Sequence, residues 1–292
     1  MRKVFTCLYF ITILSFLGCD QTGNTLAKPT ISVSILPLKY LVDEITGEKV
    51  DVNVLVPEGV NPETFEPLPL QFKALSASSM YFQIGLIDFE KSLYNGASHS
   101  NPKLKTLNLS EGIDLIDGAC SNNEHHHHGT DPHIWLSPGN MKKIAFKITS
   151  ELSKILPESS EIFNKNYKLL SESIDSLDRY TLNSFKEINN RHFLIYHPFL
   201  GYFARDYGLT QISIENEGKE PSVQHMKSII NEIHDKKITT IFYQKQDAGR
   251  SVHVLSTETN IKSVMIDPLN YNWLENMYKI TDLLKESLNE VE

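Results

Sequence analysis

The chain has 292 residues, 40% of them hydrophobic and 22% charged, enough apolar material to bury the core of one large or two medium domains. Its formal net charge of −8 and its pI near 5.8 argue against a nucleic-acid partner, whose phosphates demand a basic face. The same acidity suits a protein that collects cations.

Arg2 and Lys3 open the chain, Val4 to Leu17 is mostly apolar, and Gly18-Cys19 follows. The apolar run is short for a membrane span and has the layout of an export signal. Phe16-Leu17-Gly18-Cys19 is similar to a bacterial lipobox, in which the Cys is acylated and becomes the first mature residue; Phe16 stands where Leu is usual. Residues 1–19 are therefore expected to be a lipoprotein signal, with Cys19 lipidated and 20–29 a polar tether. The alternative is an ordinary signal peptide with an incidental Cys. Cys7 would leave with the signal, so Cys120 remains without a disulfide partner in an oxidising compartment. It reads as a neutral exposed thiol or an extra metal ligand.

Beyond the tether, short β-branched runs alternate with helical patterns, the signature of βαβ units and a parallel sheet. Ile31–Leu36, Val50–Val56, Met80–Ile84 and Leu104–Leu109 are expected strands of the first half. His192–Tyr196, Gln211–Glu215, Ile238–Tyr243 and Ser263–Ile266 are those of the second. Between the halves, Met141, Ile144, Ala145, Ile148, Leu152 and Ile155 repeat at helical spacing after a Ser137-Pro138 start. Pro157 interrupts, and Phe163, Tyr167, Leu170, Ile174 and Leu177 mark a second helix to about Ile188. Its narrow apolar stripe fits a helix laid along two lobes. A last helix carries Trp273, Met277, Ile280, Leu284 and Leu288. The expected fold class is α/β, with a lobe over 30–156, a linker helix over 157–188 and a lobe over 189–292.

Ala119–Thr130 is polar and contains His125, His126, His127 and His128, so it is expected to be a loop. Four metal-ligand types sit just after a predicted strand or in a tight turn, where open parallel sheets bind ligands. His197 follows its strand and precedes Pro198, which would start the next helix. Asp267 follows the last strand and precedes Pro268. His133 lies in Asp131-Pro132-His133-Ile134-Trp135, ahead of a helix. Glu63 lies in Asn61-Pro62-Glu63-Thr64-Phe65-Glu66-Pro67. With two of these from each half, a metal would sit in the cleft between lobes.

These four segments, with Tyr196-His197 through Tyr202-Phe203, Glu220-Pro221-Ser222 and Asp267-Pro268-Leu269, resemble the hallmarks of the zinc/manganese solute-binding proteins of ABC importers, the ZnuA-like cluster. The resemblance runs from about Ile31 to the last helix. It implies two α/β lobes joined by a long rigid helix, a metal between them, and no enzymatic activity. It also implies a divalent cargo passed to an ABC permease by a monomer held at the membrane by its lipid, in the periplasm or on the cell surface. Carried over position by position, the ligand set is Glu63, His133, His197 and Asp267, with Glu63 where the family usually has a His. His125–His128 fall where zinc members carry an accessory His-rich loop.

Two carboxylates beside two imidazoles make the set harder, and more tolerant of manganese or iron, than three His and one Asp. Affinity nevertheless rises from manganese towards zinc, and His197 stands where the manganese branch tends to have Glu, so Zn2+ is expected. A zinc hydrolase is the reading from another class: His126, His128, Asp131 and His133 superficially resemble a metallo-β-lactamase cluster. The spacing differs, and the chain has no His-Glu-x-x-His helix, Gly-x-Ser-x-Gly elbow or P-loop. A surface adhesin is a third reading, as relatives have been regarded as such.

Overall fold

The computed structural model describes residues 28–117, 129–215, 219–247 and 250–289. Cys19, Cys120 and His125–His128 lie outside the described residues. Two four-stranded parallel sheets carry the chain, and both have the same order of strands. In the first, β1 (Thr30–Val33) and β3 (Met80–Gln83) form the centre, flanked by β2 (Asp51–Val54) and β4 (Lys105–Asn108). In the second, β5 (His192–Ile195) and β7 (Thr240–Tyr243) are central, flanked by β6 (Thr210–Ser213) and β8 (Lys262–Met265). In each sheet the order of strands reverses at the central pair, which opens a crevice at their carboxyl ends.

All eight expected strands are present, shifted or shortened by one to three residues at their ends. Leu36, expected in β1, instead begins helix α1 (Leu36–Thr46), because Pro37 occupies its first turn with φ already set for a helix. Helix α4 (Pro138–Ile155) starts as expected, with the Ser137 hydroxyl accepting from the Asn140 N–H at 3.1 Å. Helix α5 (Ser160–Phe185) has 26 residues and so runs about 39 Å. It packs on α1 and α4 at one end and on α9 (Trp273–Asn289) at the other. The linker expected over 157–188 is thus a short 3-10 turn followed by this helix.

One apolar core runs from β1 and β3 through α4, α5 and α9 to Phe193 and Phe242 of the second sheet. A separate, smaller cluster joins Leu194 and Ile241 to Ile229, Ile233 and Leu255 of the second half. The lobes also meet through polar bonds. The buried Trp135 indole donates to the Pro268 carbonyl at 2.8 Å, and the Trp273 indole donates to the Trp135 carbonyl at 2.8 Å. The Tyr271 hydroxyl donates to Asp43 of α1 at 2.7 Å. The segment after β8 is therefore tied to the first half of the molecule.

Trp135→Phe keeps most of the ring but strands the buried Pro268 carbonyl. Stability should fall by about 1–3 kcal/mol, read as a lower urea midpoint at unchanged slope. A midpoint equal to wild type would show that this bond contributes nothing net.

Candidate metal centre

Each histidine of the site has two ring nitrogens, and a partner holding one of them fixes which nitrogen can face an ion. His133 follows Asp131-Pro132, and the Asp131 carboxylate accepts from both its backbone N–H and its Nδ1, each at 2.8 Å. This leaves Nε2 as the free nitrogen. The Asp131 carbonyl accepts from the Tyr202 hydroxyl at 2.9 Å. Its carboxylate occupies space beside Gly201, where a Cβ would stand 2.5 Å from Oδ2. Only glycine leaves that room.

His197 sits just past β5. Its Nδ1 lies 3.0 Å from Oε2 of Glu215, which stands two residues beyond the end of β6. Its Nε2 lies 2.8 Å from Glu63 Oε2, but off the line a hydrogen bond requires, so this buried nitrogen has no hydrogen-bond partner. The expected helix start at Pro198 is displaced: the Phe199 N–H bonds back to the His197 carbonyl at 2.9 Å, and helix α6 begins at Gly201 (Gly201–Tyr207). That tight turn leaves His197 at the carboxyl end of the central strand β5, 8% exposed.

Glu63 lies in a 3-10 turn (Pro62–Thr64), where its N–H donates to Asn61 Oδ1 at 2.9 Å. Its side chain is 31% exposed, against 7% for His133 and 10% for His197. One ligand atom each from Glu63, His133 and His197 lie within 4.8 Å of one another. Donors bound to one tetrahedral zinc stand roughly 3.3 Å apart, so small side-chain rotations would close this triangle. The two imidazole rings meet edge to face, with centroids 5.3 Å apart.

Asp267 does not join this cluster. It is exposed, and Oδ1 accepts from the Leu269 N–H at 3.0 Å while Oδ2 lies 3.4 Å from the Asn270 amide. It lines a neighbouring cavity of about 280 Å³ with Glu58, Gly59 and Lys245, residues from both lobes. Of the carboxylates that orient the histidines, Asp131 enters the sequence reading only as a possible ligand of the hydrolase cluster, and Glu215 is missed by it. Glu215 stands last in the expected strand Gln211–Glu215, one place short of where the rule that picked His197 and Asp267 looks.

The charges of the site hold one another in place. Burial opposes charge on His197, yet Glu215 and Glu63 outweigh it and hold its pKa up at about 10. Burial opposes charge on Glu63 as well, but His197 and His133 pull its pKa down to about 2. At neutral pH a proton on His197 thus supplies the positive charge the carboxylates attract.

The family model for ZnuA, described as "Zinc-uptake complex component A periplasmic", matches residues 31–287. A putative metal-binding protein of Chlamydia trachomatis is 29% identical over 282 residues, which are 96% of this chain and 98% of that protein. The high-affinity zinc uptake system protein ZnuA of Bacillus subtilis is 25% identical over 313 residues, 96% of each chain. A solved structure of a zinc-bound ZnuA deletion mutant is 32% identical and superimposes with a TM-score of 0.82, covering 89% of this chain and 98% of that one.

Zinc binding at His197 would displace that proton: capture near pH 7 should then release about one proton, and apparent affinity should rise with pH up to about 10. Calorimetry in buffers of different ionisation enthalpy measures the count. Zero protons released would show that His197 is neutral in the free protein or is not a ligand.

Proposed function

The chain belongs to the family of periplasmic zinc-uptake A components, and from that membership we propose that it captures Zn2+ outside the cytoplasm and delivers it to an ABC importer. The family consists of solute-binding proteins, not enzymes, which sets aside the hydrolase reading. The observation that carries the proposal is the meeting of Glu63, His133 and His197, with each imidazole backed by a carboxylate. Histidine–carboxylate pairs of this kind fix the tautomer and raise the basicity of the coordinating nitrogen. An N2O donor set suits zinc, and the zinc-bound relative supports the same ion over manganese or iron.

In this reading Glu63 fills the place of the family's usual first His, and its charge partly neutralises the ion in a poorly solvated cleft. Asp267 is the fourth ligand, joining by rotating away from Leu269 and Asn270 once an ion draws it in. His125–His128 gather zinc ahead of this site. The protein acts as a monomer tethered by acylated Cys19, with the importer's permease as its partner.

Glu63→Ala should weaken zinc binding about tenfold or more, measured by competition with a chelator. Glu63→His should restore it and widen the preference for zinc over manganese, because imidazole is the softer donor. Unchanged affinity in Glu63→Ala, with His133→Ala and His197→Ala both crippled, would place Glu63 outside the coordination sphere.

Cys19→Ala should release the protein from membranes, since each acyl methylene contributes about 0.8 kcal/mol of partition energy and no described helix is long and apolar enough to span a bilayer. Retention of the variant in the membrane fraction after salt and carbonate washes would refute the lipid anchor.

A further inference from the structure

Glu90 is a buried carboxylate that metal capture does not use. It is 1% exposed. One oxygen accepts from the Ile84 N–H at 2.8 Å and from the Ser34 hydroxyl; the other accepts from the N–H groups of Gly85 at 2.7 Å and Ile87 at 3.3 Å. Ser34 Oγ lies 2.8 Å from the Tyr81 hydroxyl. A carboxylate so enclosed is tolerated only because its lone pairs are filled. These bonds join the end of β1, the turn after β3 and the first turn of helix α3 (Asp88–Ser100). Gly85 has φ +86°, and a Cβ there would meet Asn108 Oδ1 at 1.9 Å. The turn therefore cannot shift without breaking several bonds together.

Phe89, beside Glu90, is itself 6% exposed. Its ring meets Phe65 edge to face, with centroids 5.1 Å apart and planes at 89°. Phe65 closes the 3-10 turn that carries Glu63, its N–H bonding to the Pro62 carbonyl at 3.4 Å. Asn61 caps the other end of that turn.

We infer that Phe89, immobilised through Glu90, is a positioning residue of the metal centre: by gripping Phe65 it holds Glu63 against His197. The inference rests on the reading of Glu63 as a ligand. A glutamate on a surface turn has several rotatable bonds and loses their freedom on binding. A turn docked on a fixed ring leaves only the side chain to be ordered.

A double-mutant cycle tests this, with zinc affinity read by competition with a chromophoric chelator for wild type, Phe89→Leu, Glu63→Ala and the double variant. Phe89→Leu should weaken zinc binding about threefold to tenfold, and should have no further effect in the Glu63→Ala background. Phe65→Leu should show the same pattern from the outer partner, and it serves as the test if Phe89→Leu does not fold. Equal losses in both backgrounds would overturn the inference, because the ring would then act on the fold at large. Unchanged affinity in both phenylalanine variants would overturn it too. Unchanged affinity in Glu63→Ala alone would remove the ligand reading itself, a separate failure.

Discussion

Two imidazoles face each other across the cleft, and each presents one defined nitrogen because a carboxylate holds the other. Asp131 does this for His133, and Glu215 for His197. Much of the local structure serves these two contacts. Tyr202 holds the Asp131 carbonyl, Gly201 leaves room for its carboxylate, and the tight turn at 197–199 keeps His197 at the carboxyl end of β5. Without the carboxylates the rings could present either nitrogen, and a rigid site would become a set of alternatives.

The same carboxylates set the charge of the centre. Glu63 and Glu215 press on one imidazole, which answers by keeping a proton well above its usual range. A divalent ion offers the same negative groups more charge at one point. In the proposed reading, capture exchanges one cation for another, in a cleft whose low polarisability strengthens both interactions.

Eight strands and three helices were legible along the chain, because β-branched runs and the helical spacing of Met141 to Ile155 are local signals. Ends were less legible. Leu36 went to a helix rather than a strand through Pro37, and helix α6 began three residues after Pro198 through a backbone turn. Of the four ligands expected, the structure gathers Glu63, His133 and His197 and leaves Asp267 bonded to its own turn. Its carboxylate satisfies the Leu269 N–H, a local partner that sequence spacing does not reveal.

By itself the sequence determined the class of fold, the repetition of two parallel-sheet halves, and the residue types able to hold a divalent transition metal. These follow from periodicity, turn chemistry and donor chemistry, all of which act over a few residues. Only the tertiary structure decided which carboxylate serves which ring, that one core spans both lobes, and that Phe89 meets Phe65. Those contacts join residues from separate turns and sheet edges, and their energies depend on distance and angle in space, which no order along the chain specifies.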